Sequence, residues 1–247
     1  MKKLQVICFY WEGDRWQSNV EQYSSSDLAY TRNLKKVGNS NLKLVSRYVN
    51  NLFDGVTKYA DRDFDFICFT NEKLNLKKGI ETRSFPMITK RGVLPRLFMF
   101  SEQSGLFGHQ VLCLDLDVVV VGSLEPLMAY SGLFCARPKF QQGGENKLDG
   151  DIMSFRAGPE AEARFWTPFV KDVKGSERLT QGRERYWMRH VAGDIADLWT
   201  VEAPKAVLSY KRNLKGQRPP KTAAIVSYHG YPRPHQVKDN WTKKYWK

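Results

Sequence analysis

Short, mostly apolar runs punctuate the chain, and most are too short to be helices. Leu4–Tyr10, Phe64–Phe69, Val111–Leu114, Val118–Val121, Leu133–Ala136 and Ala224–Tyr228 lack polar alternation and read as strands buried on both faces. Between the first two, Leu44, Val45, Tyr48, Val49, Leu52 and Val56 recur at helical spacing, which predicts an amphipathic helix from Leu42 to Tyr59. Strand, helix, strand in that order is the pattern of a βαβ unit with parallel strands. Further helices are predicted over Pro95–Gln103 and Pro159–Val173, each with a proline where a helix begins. Gln22–Asn41, rich in Ser and Asn, reads as a long surface loop or insertion, and Gln141–Lys147 as a flexible loop. With no internal repeat and no separating linker, one α/β domain over residues 1–247 is expected, its sheet mixed but mostly parallel.

Composition narrows the class. A hydrophobic fraction of 42% with 13% aromatics is that of a folded protein, which excludes disorder. No window approaches the ~18 apolar residues a membrane span needs. The N-terminal run from Leu4 meets Glu12, Gly13 and Asp14 too early for a signal peptide, so a cytoplasmic protein is expected. Cys8, Cys68, Cys113 and Cys135 form no CxxC pair, which argues against a thiolate zinc site and for buried reduced thiols. Lysine and arginine number 39 against 26 acidic residues, a net charge of +13. Such a field attracts nucleotide donors, anionic membrane surfaces, acidic glycans or nucleic acid without choosing among them. The tail from Trp241 to Lys247 interleaves aromatics with lysines. Either it lies on headgroups or bases, at the inner membrane face for instance, or its tryptophans pack on the domain.

The sharpest chemistry lies in Val111–Pro126, where Asp115 and Asp117 interrupt an apolar run. Unpaired, each buried carboxylate costs several kcal/mol, on the order of ~3–5 kcal/mol, so something cationic must meet them. If the strand continues through them, residues two apart point to the same side and converge on one ion. Carboxylate oxygens suit Mg²⁺ or Mn²⁺, which bridge a diphosphate. The bland alternative is a strand end with two solvated aspartates. A second cluster, Ser227–Gln236, offers His229 as an imidazole ligand, Gly230 for close backbone approach and Arg233 as a phosphate clamp, against a structural histidine in a proline-rich turn. Arg96 sits in an apolar segment, either reaching the acidic pair or a diphosphate, or snorkelling to the surface. Asp149 and Asp151 precede another apolar run as sugar-binding groups or turn aspartates. Glu184 stands among cations, where a lone carboxylate is more often an ion-pair member than a catalytic group.

On these residues the chain resembles the family 8-like glycosyltransferases of bacteria and phages. Leu112–Leu127 is similar to the family's DxD segment, Ser209–Arg212 reads SYKR, and Tyr228–Val237 resembles its His-Gly-x-Pro-Lys/Arg-Pro pattern. The aromatic-rich segment Cys8–Trp11 resembles the loop after the first strand that cradles the nucleoside, and Asp149–Gly158 the sugar-facing segment. The resemblance implies a single GT-A (Rossmann-like) domain, with a nucleotide-binding half over residues 1–117. An acceptor half with a C-terminal metal and diphosphate loop follows over residues 118–247. It implies a UDP-sugar donor and Mn²⁺ or Mg²⁺ held by Asp115, Asp117 and His229. Donor contacts would come from Phe9, Tyr10, Trp11, Arg96, Asp115, Leu116, Asp149, Gly230 and Arg233, and catalytic roles from Glu184 and Asp151. It also implies transfer with retention of anomeric configuration. Two departures stand out: Gly182-Arg183-Glu184-Arg185 replaces the family's Gly-Asp-Gln-Asp, and Arg96 stands where relatives tend to have Lys.

Other classes fit less well. A haloacid-dehalogenase-type phosphatase also uses an apolar strand ending in Asp-x-Asp, but near its N-terminus and followed by Thr or Ser. A basic nucleic-acid-binding module without catalysis accounts for the charge, yet no recognised binding motif is present. Within the glycosyltransferase reading the acceptor is either a surface or lipid-linked saccharide or, for a phage enzyme, a modified base in DNA.

Overall fold

The computed structural model of the chain describes residues 3–11, 39–140 and 148–247. The apolar runs form strands: β1 (Leu4–Tyr10), β2 (Phe64–Thr70), β4 (Gln110–Leu114), β5 (Val118–Val120), β6 (Phe134–Pro138) and β10 (Ile225–Ser227). To these are added β3 (Ile80–Arg83), β7 (Leu148–Arg156), β8 (Asp197–Leu198) and β9 (Val207–Ser209). Seven strands make one sheet in the order β3-β2-β1-β4-β7-β6-β8, and β5-β10-β9 make a smaller one. In the large sheet β1/β2, β2/β3, β1/β4 and β6/β8 pair in parallel, whereas β7 is antiparallel to both β4 and β6.

Burial on both faces explains the missing alternation. Along β1, Leu4, Val6, Cys8 and Tyr10 enter one core with the helix α1 (Asn39–Tyr59), while Ile7 and Phe9 enter the opposite one with Trp11. Helix α1 contributes Val45, Val49, Leu52 and Val56 to that packing. Each such side chain adds roughly 1.5–3 kcal/mol when fully buried. The predicted loop Gln22–Asn41 lies outside the described residues up to residue 38, and α1 already begins at Asn39. The loop Gln141–Lys147 lies wholly outside them.

Two predicted helices differ. Pro95–Gln103 is instead a pair of 3₁₀ segments, Leu94–Phe100 and Glu102–Ser104, separated by extended Ser101. The Ser101 side chain accepts the Gln103 N–H at 3.1 Å, giving the backbone a local bond that competes with a continuous helix. Pro159–Val173 is broken into Pro159–Ala161, a π turn over Glu162–Trp166, and Thr167–Lys171. Pro168, which has no N–H to give to the preceding turn, explains the irregularity. Asp172 then caps a new helix, α2 (Val173–Thr180), by accepting the Gly175 N–H at 2.8 Å.

After α2 comes α3 (Glu184–Ala192), and the chain ends on α4 (Asn240–Tyr245). The aromatic tail takes the packed alternative. Trp246 is buried under the Arg47 guanidinium and against Tyr48, and Trp241 lies beside Tyr210 and Tyr228. Lys243 and Lys244 remain exposed. All four cysteines are buried and free. No helix among the described residues is long and apolar enough to cross a membrane.

Candidate active site

Strand β4 lies where the sheet changes from parallel pairing with β1 to antiparallel pairing with β7, and its C-terminal end is where open α/β sheets bind ligands. β4 stops at Leu114, so Asp115, Leu116 and Asp117 form a turn into β5, closed by the Val118 N–H on the Asp115 carbonyl. This corrects the same-side argument, which assumed strand geometry. Asp115 and Asp117 instead meet different arginines: Asp115 pairs with Arg96, and Asp117 with Arg233. Leu116 packs between two hydrophobic clusters.

Arg96 is the buried centre of this end of the sheet. Its guanidinium pairs with Asp115, reaches Glu184 at 3.1 Å, and donates to the Gly150 carbonyl at 2.8 Å and the Cys113 sulfur at 3.3 Å. Burial opposes its charge, but Glu184 and Asp115 more than offset this and hold its pKa well above the usual arginine value. The partners are positioned by glycines. A Cβ on Gly150 would lie 2.8 Å from Glu184 Oε1, so only glycine lets that carboxylate rest against β7. Gly92, at φ +61°, faces the Gly182 carbonyl so closely that a Cβ would sit 2.0 Å away, and Val93 N–H donates to that carbonyl at 2.9 Å. The segment carrying Arg96 is thereby joined to the one carrying Glu184.

Asp149 and Asp151 are not turn residues; both lie within β7, where Asp151 is opposite the aspartate turn and its carbonyl accepts the Asp115 N–H at 2.8 Å. What permits two carboxylates there is Arg137 on β6. Its guanidinium lies 2.6 Å from Asp151 Oδ1 and 3.2 Å from Asp149 Oδ2. Ser227 adds a 2.6 Å hydrogen bond to Asp151. Burial works against ionising Asp151, and Arg137 with Ser227 overcomes it, leaving the carboxyl below its usual range. Asp149, buried beside the Asp151 charge, is raised instead.

The C-terminal cluster reaches the same place through sheet pairing. β10 runs antiparallel to β5, and Tyr228 N–H donates to the Asp117 carbonyl at 3.0 Å. His229 Nε2 shares a 2.7 Å hydrogen bond with the Ser209 hydroxyl from β9, and its ring stacks on Phe140 at 5.3 Å. Burial, then the charges of Lys211 and Arg137, hold His229 neutral with a pKa down to about 4. Gly230, at φ +75°, lies beside the Lys211 ammonium. Phe9 and Trp11 pack inward: Phe9 stacks on Phe69 at 4.7 Å, Phe9 and Trp11 both meet Phe85 edge-on, and both are inside the core with Tyr10 buried on the other face. Arg137, Ser209 and Ser227 are site residues for which sequence reasoning proposed no role; the arginine that directly follows the apolar run Leu133–Ala136 is the signal by which the first could have been found.

Two carboxylates and a neutral imidazole are a donor set that Mn²⁺ or Mg²⁺ accepts, so the chemistry fits a divalent ion. Each donor is engaged by its own side-chain partner, and no group of three or more His, Cys, Asp or Glu among the described residues is assembled to hold one.

Comparison with solved structures places this geometry in a known fold. The galactosyltransferase LgtC, solved with donor and acceptor sugar analogues, matches with a TM-score of 0.62 at 11% identity, over 98% of this chain and 93% of LgtC. The chain has the GT-A glycosyltransferase fold. The glycosyltransferase GlyE of Streptococcus pneumoniae gives 0.60 at 12% identity, covering 100% of this chain and 60% of GlyE. Mouse xyloside xylosyltransferase 1 gives 0.51 at 8% identity, over 92% and 98%. No family model and no curated protein matches the sequence.

Proposed function

We propose that the chain is a metal-dependent glycosyltransferase that moves a sugar from a nucleotide donor, UDP-linked, to an acceptor hydroxyl with retention of configuration. The observation that carries this reading is the meeting of the Asp115–Asp117 turn with His229 and Arg233, two sequence-distant motifs joined by the β5/β10 pairing and the Arg233–Asp117 ion pair. Asp115, Asp117 and His229 would hold Mn²⁺ or Mg²⁺, which supplies charge neutralisation at the diphosphate when bound. Arg233 binds the same diphosphate once it releases Asp117, and Gly230 lets the backbone approach. At the anomeric carbon the bond to the diphosphate oxygen breaks and a bond to the acceptor oxygen forms, the hydroxyl proton passing to the departing diphosphate.

Glu184 and Asp151 act in this reading as fixed negative charges beside the sugar, not as proton carriers, because each is buried against an arginine. Residues 1–247 are taken as one domain. For the acceptor we favour a saccharide, surface or lipid-linked, entering by a cavity of about 250 Å³ that opens beside Arg137 and Phe140 and is walled by Lys139, Lys205 and Trp199. The packing of Trp241 and Trp246 into the domain weakens the base-stacking argument for DNA. A thermal-shift series tests the function: UDP with Mn²⁺ should raise the melting temperature more than the sum of UDP alone and Mn²⁺ alone. Strictly additive shifts would count against it.

A further inference from the structure

One wall of the cavity beside Arg137 is a turn that carries the wrong residue for its backbone. Ala203-Pro204-Lys205-Ala206 lies between the short helix Trp199–Glu202 and β9, and the Ala206 N–H closes it on the Ala203 carbonyl at 3.1 Å. Pro204 takes the second position and Lys205 the third, at φ +65°. Proline second and a left-handed residue third define a type II turn, whose third position favours glycine or asparagine. In lysine the Cβ crowds the following carbonyl oxygen, a strain that glycine avoids. Among the described residues the other non-glycine positions with positive φ are Gln181 and Lys215. Both end helical segments, where that conformation is routine.

Nothing in the fold rewards the lysine. It is exposed, and among the described residues its side chain makes no ion pair or hydrogen bond. The turn itself is fixed. Ala203 and Ala206 are buried, and the Ala206 carbonyl accepts the Ala224 and Ile225 N–H groups at 2.8 and 3.0 Å. Lys205 is thereby held in the cavity wall with Arg137, Lys139 and Asn213, and no acidic residue is among the described residues that line it. Asp149 and Asp151 match the charge of Arg137, but no such partner meets Lys205. Asn213 Oδ1 accepts the Ser209 N–H at 2.8 Å, so its NH₂ is the part left to meet a ligand. Phe140 joins this wall to the proposed donor site: the Arg137 guanidinium lies 3.8 Å from its ring centre, and the ring stacks with His229 at 5.3 Å. Asp115, Asp117 and Arg233 do not line the cavity, so its charge is separate from the position assigned to the diphosphate.

Resting on the glycosyltransferase reading with its acceptor in this cavity, we propose that Lys205 selects an anionic acceptor, pairing with a carboxylate or phosphate on the acceptor saccharide. The strained turn persists because it sets an ammonium where that anion enters. Glycine or asparagine would relax the backbone and lose the charge, an exchange of stability for binding that functional sites commonly show.

The test compares the full chain with Lys205→Asn and Lys205→Arg. Methyl β-glucoside, methyl β-galactoside, their uronide counterparts, glucose 6-phosphate, galactose 6-phosphate and inorganic phosphate are titrated calorimetrically with UDP and Mn²⁺ present. An anionic sugar should bind the parent about fivefold more tightly than its neutral counterpart, the upper end for one exposed ion pair. Lys205→Asn should lose most of that preference and Lys205→Arg should keep it, both binding UDP as the parent does. Lys205→Asn should also melt at the parent's temperature or up to about 2–4 °C above it, because its backbone strain is relieved. A preference confined to the uronides, or to the phosphates, names the anion. No preference in the parent, a preference that survives in Lys205→Asn, or inorganic phosphate bound as tightly as the sugar phosphates overturns the inference alone. Melting of Lys205→Asn more than about 4 °C below the parent would make the lysine structural and overturn it equally. A parent that fails to bind UDP overturns the underlying reading, and the inference with it.

Discussion

The two arginine clusters on either side of Asp149 differ in one respect. Arg96 and Arg137 are almost fully buried, at 3% and 2% exposure, and each is matched by carboxylates. Arg183, Arg185 and Arg189 surround Tyr186 and are half-buried, and among the described residues the carboxylate that Arg185 approaches, Asp149, is shared with Arg137. A charge removed from water must bring its counterion with it, so the inner arginines build the site. A charge left partly exposed keeps part of its hydration and is tolerated without a matching buried carboxylate. Identical side chains thus neutralise buried carboxylates in one cluster and pack around an aromatic ring in the other.

The largest way to break this contrast is Arg137→Met, which leaves Asp149 and Asp151 in the sheet without their cation. Removing one partner of a buried pair costs ~3–5 kcal/mol, a drop of roughly 6–20 °C in melting temperature for a chain of this size, measurable by calorimetry. Gly150→Ala forces the Glu184 carboxylate off β7 and should cost about 1–3 kcal/mol in urea unfolding. Between these and a neutral change stands the pH response. His229 has a pKa of about 4 when folded against 6.5 ordinarily, so between those values the unfolded chain binds the extra proton. Its contribution to stability is therefore complete above pH 6.5 and declines as the pH falls toward 4. A His229→Gln variant should show a flatter acid limb in melting temperature against pH. The remaining slope includes His235, shifted the same way by burial and by Arg233 and Arg47. The smallest effect is expected for Arg185→Gln, within ~0.5 kcal/mol of the parent, since no buried partner is stranded. A loss like that of Arg137→Met would erase the distinction between the clusters.

Strands β1, β2 and β4 of the large sheet were legible because they are mostly buried and their runs are mostly apolar, whereas β3, β7 and β8 were not predicted. Asp115 and Asp117 stood out for the opposite reason, as charge inside apolar sequence, although they were read as strand residues and not as a turn. Less could be read where a residue's partner is distant in the chain. Asp149 and Asp151 resemble turn residues until Arg137 is seen across the β6/β7 pair. The reading of Glu184 as an ion-pair member is correct in kind, but its partner Arg96 is brought to it by Gly92 and Gly182, whose close approach leaves no trace in periodicity. Phe9 and Trp11 were expected at the donor and pack inward because β1 is covered on both faces. The Leu94–Ser104 segment misled as a helix because the local side-chain bond at Ser101 has no signature in the apolar pattern.

The central claim is that the Asp115–Asp117 turn, His229 and Arg233 form one diphosphate site. Calorimetric titration of UDP into the parent and an Asp117→Asn variant, each with and without Mn²⁺, tests it most directly. The account predicts binding to the parent that requires Mn²⁺ and is lost in the variant. Metal-dependent binding that is as tight in Asp117→Asn as in the parent, or no binding in any condition, would contradict it.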